Sequence, residues 1–247
     1  MDVEKPSPGD NEVLIRVRAA TVMAGDCELR GLKGSFFTKL ILRIGFGFRA
    51  PRRKVLGQEL AGEIESVGKN VKRFKSGDQI FAQTGLRLGA YAEYCCLPEN
   101  GLLDIKPANA TYEESAAIPS GGLYVLQLLR KANIQNGQQV MIIGAAGTMG
   151  TLAVQLAKLS GAEVTGVDGK GKFDTMLSIG TDHTIDYTEG DYTTSGKLYD
   201  VIFDVTGKAP FSGCLRLLKE NGVYIMGNLG LVAWPEVGGH PWSEGRR

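Results

Sequence analysis

The chain has 247 residues, of which 43% are hydrophobic and 22% are charged, and its formal net charge is +1. This balance is typical of a soluble globular protein of one large domain or two small ones. A charge so close to zero provides no bulk attraction to nucleic acid or to an anionic membrane, so we expect neither as a partner. The 4 cysteines show no C-x-x-C spacing and the first residues carry no secretory signal, so we expect free thiols and a cytoplasmic location.

The first half of the chain has the pattern of short antiparallel strands. Apolar and charged residues alternate over 12–20, which predicts a half-buried strand. Further short strands are expected at 60–67, 79–82 and 90–97, because turn-forming residues separate these runs. We therefore expect an antiparallel sheet, in the form of a small barrel.

One apolar segment in this half, SFFTKLILRIGFGFRA at 35–50, is the nearest approach to a membrane-binding stretch. Lys39, Arg43 and Arg49 interrupt it, so it is not a membrane span. An interfacial anchor and a core or pocket-lining helix both remain open.

The second half alternates strands and helices. Thr111-Tyr112-Glu113-Glu114 is a capping box, which predicts a helix ending near 118–119. A second helix is expected to start after Gly122 and to reach Lys131. Leu152, Leu156 and Leu159 would share one face of a later helix. Such alternation predicts a parallel, doubly wound sheet. Its strands are expected at 140–143, 164–167, 183–186, 200–204 and 223–226.

The turn after the first of these strands has the features of a dinucleotide-binding loop. A glycine-rich turn follows the apolar run 140–143, a helix follows the turn, and the next apolar run ends on Asp168. Gly147 would let a pyrophosphate approach the backbone, and Gly150 would let the helix pack close to the strand. The first glycine of the G-x-G-x-x-G pattern is replaced by Ala145. The turn residues that we assign to the cofactor are Gly144, Ala145, Ala146, Gly147, Thr148, Met149 and Gly150.

The sequence contains residues that favour each of the two nicotinamide cofactors. Asp168 could accept a hydrogen bond from a ribose hydroxyl, which favours NAD(H). Lys170 and Lys172 follow closely, and Lys172 is our candidate partner for the 2′-phosphate of NADP(H), although solvated loop charge is the alternative. Tyr187, after the third strand, could stack near the adenine or could be an ordinary aromatic residue at a strand end.

Taken together, these motifs resemble the medium-chain dehydrogenase/reductase superfamily, and in particular its zinc-free, quinone-oxidoreductase-like branch. The matching stretches include EVLIRVRAA at 12–20, VLGQELAGEIESVGKNVKRFKSGD at 55–78, GAYAEY at 89–94 and YDVIFDVTG at 199–207. The resemblance implies an α/β protein with a GroES-like antiparallel β-barrel domain and a Rossmann doubly wound parallel sheet. It also implies a small-molecule substrate bound in a cleft between them.

The domains implied by the resemblance are 1–118 (GroES-like) and 119–230 (Rossmann), followed by an irregular tail at 231–247. Relatives begin with another strand and continue past the point where the match ends near Gly230. We therefore expect this chain to be shorter than they are at both ends. Relatives often dimerise along an edge of the Rossmann sheet, so a homodimer remains open.

The residues of zinc-dependent members are altered here, so we expect no zinc. Gly57-Gln58-Glu59 stands where those members carry Gly-His-Glu, and Met23 stands at the position of their first zinc-binding cysteine. Glu59 remains a polar candidate or a structural carboxylate. Zinc-free relatives often carry Asn at the position of Met23 and Thr at that of Tyr124, so we expect the polar contacts to the substrate to differ here.

The function implied is an NAD(P)H-dependent, zinc-independent oxidoreductase that passes hydride to a quinone or an α,β-unsaturated carbonyl. The resemblance favours NADP(H) over NAD(H). The nicotinamide is expected near Thr206, Gly207 and Asn228, after the fourth and fifth strands. We assign no catalytic acid, although Tyr91, Tyr94 and Tyr124 are outside candidates. The alternatives are a catalytically impaired dinucleotide-binding or adaptor protein and a zinc-dependent alcohol dehydrogenase.

Overall fold

The structure is a computed structural model that describes residues 3–31 and 55–227. The predictions for 35–50, for Asn228 and for the tail at 231–247 lie outside the described residues. The chain divides into two compact units, Met1–Ser120 and Gly121–Arg247. The domain limits at 118 and 230 remain predictions.

The first unit contains a five-stranded antiparallel sheet in the order β4-β1-β2-β3-β5. The predicted strands at 12–20, 60–67 and 79–82 are present within one residue of their expected limits. The fourth starts at Tyr94 rather than at residue 90, and β5 was not predicted. The strands are β1 (Glu12–Ala20), β2 (Glu59–Val67), β3 (Gln79–Gln83), β4 (Tyr94–Pro98) and β5 (Leu102–Ile105).

Inward-facing side chains of these strands form the core of the first unit. Val13 and Ile15 from β1 are fully buried, together with Leu60 from β2 and Ile80 from β3. In β3 the buried residues alternate with half-buried or exposed ones, as expected of a strand with one solvated face. In β1 the intervening Leu14 is also buried, and β2 is buried continuously over its first four residues, so the alternation is strict only in part of this sheet.

Three helices are described up to residue 132: α1 (Ala24–Gly31), α2 (Tyr112–Ala116) and α3 (Pro119–Ala132). The capping box of α2 is formed, because Thr111 accepts from the backbone of Glu114 and the Glu114 side chain accepts from the backbone of Thr111. The prediction that the second helix begins after Gly122 is wrong. It begins at Pro119, a residue suited to the first helical position because the missing N–H would have no partner there.

The second unit contains a five-stranded parallel sheet in the order β10-β9-β6-β7-β8. The chain moves from β6 outward to β7 and β8, then crosses to β9 and β10 on the other side. The reversal occurs next to β6, and open sheets of this kind bind ligands at such a switch point. The elements are β6 (Gln139–Ile143), α4 (Thr148–Leu159), β7 (Glu163–Asp168), α5 (Phe173–Ser178), β8 (His183–Asp186), β9 (Tyr199–Asp204), α6 (Phe211–Arg216) and β10 (Leu218–Met226).

Both faces of the parallel sheet are covered, which explains its nearly continuous apolar strands. Val140 and Ile142 point into one core cluster, while Met141 and Ile143 point into the other. An antiparallel unit followed by a Rossmann-type sheet confirms the predicted fold class.

The three leucines that share one face of α4 are not its fully buried residues. The buried residues of this helix are Gly150, Ala153, Val154 and Ala157, while Leu159 is 85% exposed. Small residues face the sheet because the helix lies close against it.

Candidate dinucleotide site

The glycine-rich turn lies directly after the central strand β6. The backbone N–H groups of Gly144 and Ala145 donate to the carbonyl of Val167 on β7, at 2.8 and 3.3 Å. Gly144 has a φ of +81°, in the left-handed region that glycine adopts without strain. These bonds fix the start of the turn at the carboxyl ends of β6 and β7.

Gly150 explains the close approach of α4 to the turn. A Cβ atom at this position would collide with the carbonyl oxygen of Gly144 and with the backbone of Ala145. The helix can therefore start against the strand only with glycine here.

The first turn of α4 presents unpaired donors. Gly147 is the N-cap in extended conformation and supplies no side-chain acceptor. Among the described residues, no acceptor faces the N–H groups of Thr148, Met149 and Gly150. A Cβ on Gly147 would lie 3.4 Å from the Gly144 carbonyl and otherwise in open space. Free N–H groups with the positive end of the helix dipole favour an anionic ligand.

Asp168 faces this turn from the end of β7. One of its oxygens, Oδ2, accepts from the N–H of Ala146 at 3.1 Å, and Oδ1 accepts from Gly169 at 2.9 Å. Burial acts to raise the pKa of this carboxyl, but the bonds from Gly169, Lys172 and Ala146 hold it below its usual value. The carboxylate is therefore charged at neutral pH and keeps lone pairs for a further donor.

Lys172, Lys170 and Tyr187 lie around the same end of the sheet. The ammonium of Lys172 is 3.1 Å from Oδ1 of Asp168, and that of Lys170 is 3.2 Å from Glu189. Tyr187 is 57% exposed, and its ring would be 3.9 Å from a Cβ placed on Gly169. The structure thus brings Lys172 to Asp168 and leaves an aromatic face open nearby.

The turn after β9 contains two of the three residues assigned to the nicotinamide end, Thr206 and Gly207. A buried acid that the sequence did not single out organises this turn. Asp204 is fully buried. Its Oδ1 accepts from the Thr206 N–H and hydroxyl and from the Gly207 N–H, at 2.9, 2.7 and 2.9 Å. Its Oδ2 accepts from Ala209 N–H and from the Tyr224 hydroxyl, at 3.1 and 3.2 Å. Like Asp168, Asp204 ends an apolar strand, and this pattern could have identified it. We applied the pattern only to Asp168.

The first unit holds a separate polar cluster at the positions where zinc-dependent proteins carry ligands. Asp26 is 3% exposed and accepts from the Met23 N–H at 3.2 Å, from the Gln58 amide at 3.3 Å and from the Tyr91 hydroxyl at 2.9 Å. A Cβ on Gly25 would be 3.7 Å from the Gln58 amide nitrogen and 3.9 Å from the Met23 sulfur. The residues at the two altered positions therefore do lie together.

Glu59 is buried beside this cluster and is occupied by structural hydrogen bonds. It is 4% exposed, and it accepts from the Thr21 hydroxyl and, at 2.7 Å, from the N–H of Ser120. The carboxylate thus connects the end of β1 to the start of α3. Of its two sequence interpretations, these contacts favour the structural carboxylate.

The three tyrosines named as outside candidates for an acid differ in their surroundings. Burial, followed by the hydrogen bond to Asp26, raises the pKa of Tyr91 to about 12, so its proton is firmly held at neutral pH. Tyr94 packs under the ammonium of Lys5, 4.0 Å from its ring centre. Tyr124 lies on α3 and is 42% exposed. Of the three, Tyr91 is therefore disfavoured as a proton donor.

The chemistry of the first unit's cluster does not fit zinc. A thioether and a neutral amide stand at two ligand positions, and zinc prefers thiolate, imidazole and carboxylate. Asp26 and Glu59 are already occupied by protein donors. Within residues 3–31 and 55–227, no three His, Cys, Asp or Glu side chains form a group able to hold a metal ion.

Comparisons with known proteins agree with this architecture. The "Alcohol dehydrogenase GroES-like domain" family matches residues 9–107, and the "Zinc-binding dehydrogenase" family matches residues 148–233. The spinach "Quinone-oxidoreductase homolog, chloroplastic" is 34% identical over 239 residues, covering 91% of this chain and 68% of the relative. The Arabidopsis thaliana "NADPH-dependent alkenal/one oxidoreductase, chloroplastic" is 28% identical over 226 residues, covering 88% of this chain and 55% of the relative.

Solved structures give the same result. The quinone oxidoreductase from Coxiella burnetii superposes with a TM-score of 0.78 at 28% identity, covering 91% of this chain and 69% of that chain. This chain spans between 55% and 69% of the lengths of these three proteins.

The fold and the glycine-rich turn thus define a two-unit dehydrogenase/reductase with a GroES-like and a Rossmann-type part. The chain belongs to the medium-chain dehydrogenase/reductase superfamily and to its quinone-oxidoreductase-like branch, a class of oxidoreductase enzymes. This confirms the resemblance inferred from the sequence. In the described part of the chain, no helix has both the length and the apolar character needed to cross a bilayer.

Proposed function

We propose that this protein is an NAD(P)H-dependent, zinc-independent oxidoreductase that passes hydride to a quinone or an α,β-unsaturated carbonyl. The observation that carries the proposal is the unpaired first turn of α4 facing Asp168 at the switch point of the parallel sheet. The cofactor, when bound, supplies the hydride, and the protein orients and shields the reactants.

The residues of the glycine-rich turn fit a dinucleotide. Thr148, Met149 and Gly150 would donate their free N–H groups to the pyrophosphate, and the absent side chain of Gly147 leaves room for it. Asp168 would accept from the adenosine ribose. Thr206 and Gly207 would lie near the nicotinamide, with Asn228 as a further sequence-based candidate.

We propose NADP(H) as the preferred cofactor. Lys172 already lies 3.1 Å from Asp168, so a cation is present where a 2′-phosphate would need one. The printed name of the Arabidopsis relative specifies NADPH. Asp168 opposes this choice by its negative charge, so the preference depends on Lys172 compensating that charge. Tyr187 would offer its exposed ring to the adenine.

The acceptor class is inferred from the residues at the two altered ligand positions, because the Met23 thioether and the Gln58 amide do not suit zinc. Without a Lewis acid, a saturated alcohol has nothing to polarise its oxygen, whereas conjugated acceptors delocalise the charge themselves. The names of the relatives, quinone and alkenal/one oxidoreductases, point the same way. Water would deliver the proton, because the surroundings of Tyr91 make it a weak acid. A cytoplasmic location and a homodimer remain predictions.

A second candidate function is that of a dinucleotide-binding or adaptor protein without turnover. Met23 favours it, because a thioether stands at a position where zinc-free relatives often have an amide, and it lies within 4 Å of a Cβ built on Gly25. Such a protein would bind the dinucleotide but would not transfer hydride.

An assay panel separates these functions. Purified protein is mixed with NADPH or NADH and with a quinone or an enone, and cofactor oxidation is followed optically. In a parallel arm, NADP⁺ or NAD⁺ is mixed with a primary alcohol, and cofactor reduction is followed. The proposal predicts turnover of the quinone or the enone, faster with NADPH. Cofactor binding without turnover would favour the adaptor. Alcohol oxidation that is lost on chelation would favour the zinc enzyme.

A further inference from the structure

We infer that Asp204 is a positioning residue for the nicotinamide half of the cofactor, through the turn that it organises. The inference rests on the proposed function. Asp204 touches no ligand, since it is fully buried, and it has not been assigned any role by the sequence.

Hydrogen bonding is the first support for this inference. Both oxygens of Asp204 are used, and the three donors on Oδ1 all come from Thr206 and Gly207. Ala209, further along the same turn, donates to Oδ2. One carboxylate therefore determines the path of the whole turn, and Gly207 passes through it with a φ of +65°. Bonds to an ionised acceptor are the stronger kind.

The second support is the state of the Thr206 side chain. Its hydroxyl donates its one hydrogen to Asp204 and accepts from the N–H of Lys208 at 3.1 Å. The hydroxyl is therefore not free to donate to a cofactor. Thr206 would act on the nicotinamide through its backbone and its fixed position, and Asp204 supplies that position.

The third support is the contact between the two cofactor-facing turns. A Cβ on Gly144 would meet the methyl group of Thr206 at 2.7 Å, so the side chain that Asp204 holds packs directly on the first glycine of the phosphate-binding turn. Site residues that are hydrogen-bonded to a buried polar side chain keep their positions within narrow limits. Asp204 thus fixes the distance between the pyrophosphate end and the nicotinamide end of the site.

The test measures the affinity of two ligands for the variants Asp204→Asn and Tyr224→Phe and for the wild-type protein. Asparagine keeps one acceptor oxygen but loses the charge and replaces the other oxygen with a donor. Tyr224→Phe removes the one bond to Asp204 that comes from outside the turn. Calorimetry measures the Kd of NADPH and of adenosine 2′,5′-bisphosphate, which has the 2′-phosphate and the adenosine-side phosphate of the pyrophosphate but no nicotinamide half.

We expect Asp204→Asn to raise the Kd of NADPH about tenfold, the loss of roughly one charge-assisted hydrogen bond. The Kd of adenosine 2′,5′-bisphosphate should stay within about twofold, because its contacts lie at α4 and Asp168. Tyr224→Phe should leave both constants within about twofold even if it lowers the melting temperature.

Equal weakening of both ligands by Asp204→Asn would overturn the inference, since that is the result of a merely structural role. So would unchanged binding of NADPH. If Asp204→Asn does not fold, Thr206→Val removes the hydroxyl without changing shape and is expected to act on NADPH alone. A wild-type protein that binds neither ligand would refute the proposed function, and the inference with it.

Discussion

At the scale of single residues, some buried hydroxyl groups in the described part of the chain have a hydrogen-bond partner and others have none. The hydroxyl of Thr193 donates to Asp191 at 2.6 Å, whereas the hydroxyl of Thr181 has no partner among the described residues. Both threonines are about equally buried, at 4% and 5% exposure. A buried hydroxyl without a partner loses its hydration and gains nothing in return.

This difference predicts opposite effects of the same substitution. Thr181→Val should raise the free energy of unfolding by about 1 kcal/mol, because a methyl group replaces an unpaired hydroxyl of similar size. Thr193→Val should lower it by about the same amount, because a buried hydrogen bond is lost. Urea denaturation measures both. A loss of stability in Thr181→Val would mean that its hydroxyl has a partner after all.

Cofactor selectivity is also decided by single residues. Lys172→Met should raise the Kd of NADPH about tenfold and leave that of NADH within about twofold, because only NADPH has a 2′-phosphate for the ammonium. Lys170→Met is the matched control, since that ammonium lies against Glu189 and not against Asp168, where the ribose is expected. The Kd values are measured by calorimetry.

A loss of NADPH affinity in Lys170→Met rather than in Lys172→Met would show that Lys170, and not Lys172, binds the 2′-phosphate. Equal losses for NADPH and NADH in Lys172→Met would show that the lysine does not read the 2′-phosphate.

At the scale of elements, close packing of α4 on the turn after β6 sets the geometry of the candidate site. The helix buries only small residues, and Gly150 allows its first turn to touch the carbonyl of Gly144. The direction of the free N–H groups depends on this contact.

The packing predicts that Gly150→Ala is destabilising although alanine is the better helix former. We expect a loss of about 1 to 3 kcal/mol, because the added methyl group must displace backbone atoms. Gly171→Ala is the control, since a Cβ there has open space and should cost nothing. Thermal or urea unfolding measures both. An unchanged free energy of unfolding in Gly150→Ala would show that the helix and the turn can move apart at no cost.

The sequence predicted the buried parallel strands well, and the reason is physical. A strand covered on both faces is an uninterrupted apolar run, so β6, β7 and β9 were predicted within one residue of their limits. The five-residue difference at the start of β10 has an equally plain cause. Its first half contains Lys219, Glu220 and Asn221, and Asn221 has a φ of +65°. Polar residues in an irregular edge segment carry no strand signal.

The site was only partly predictable for a related reason. Gly147, Gly150 and Asp168 carry a spacing that follows from the chain's local geometry. Asp204 belongs to no spaced motif of this kind, because its partners are backbone groups, the Thr206 hydroxyl and the hydroxyl of the distant Tyr224. The contacts that define such a residue exist only in the folded chain.

At the scale of the whole molecule, charged pairs at the amino ends of the parallel strands influence acid stability. Glu163 accepts from Gln139 at 2.6 Å and contacts His183 at 2.7 Å, and Lys197 lies 3.4 Å away. The bonds from Gln139 and His183 lower the pKa of Glu163 from 4.5 to about 2. The group lies on the opposite edge of the sheet from the candidate site.

Because the folded-state pKa of Glu163 lies below the unfolded one, the unfolded chain binds more protons between these two values. Its contribution to stability is therefore complete above pH 4.5 and is lost as the pH falls toward 2. We expect Glu163→Gln to flatten the dependence of the urea midpoint on pH in this window. Glu113→Gln, at an exposed position on α2, should keep the wild-type slope. Identical slopes in all three proteins would contradict this account.

The most direct test of the central claim is the affinity of NADPH for Gly147→Asp. Gly147 is the N-cap of α4, with a φ of −80° and a ψ of 170° that aspartate readily adopts. Aspartate there should keep or slightly raise stability by capping the free N–H groups. Its carboxylate should also occupy the place of the pyrophosphate, so the account predicts a folded protein whose Kd for NADPH rises at least about tenfold. Gly147→Asn, an uncharged cap of the same shape, should lose less. Wild-type affinity in Gly147→Asp would contradict the claim that this turn binds a dinucleotide.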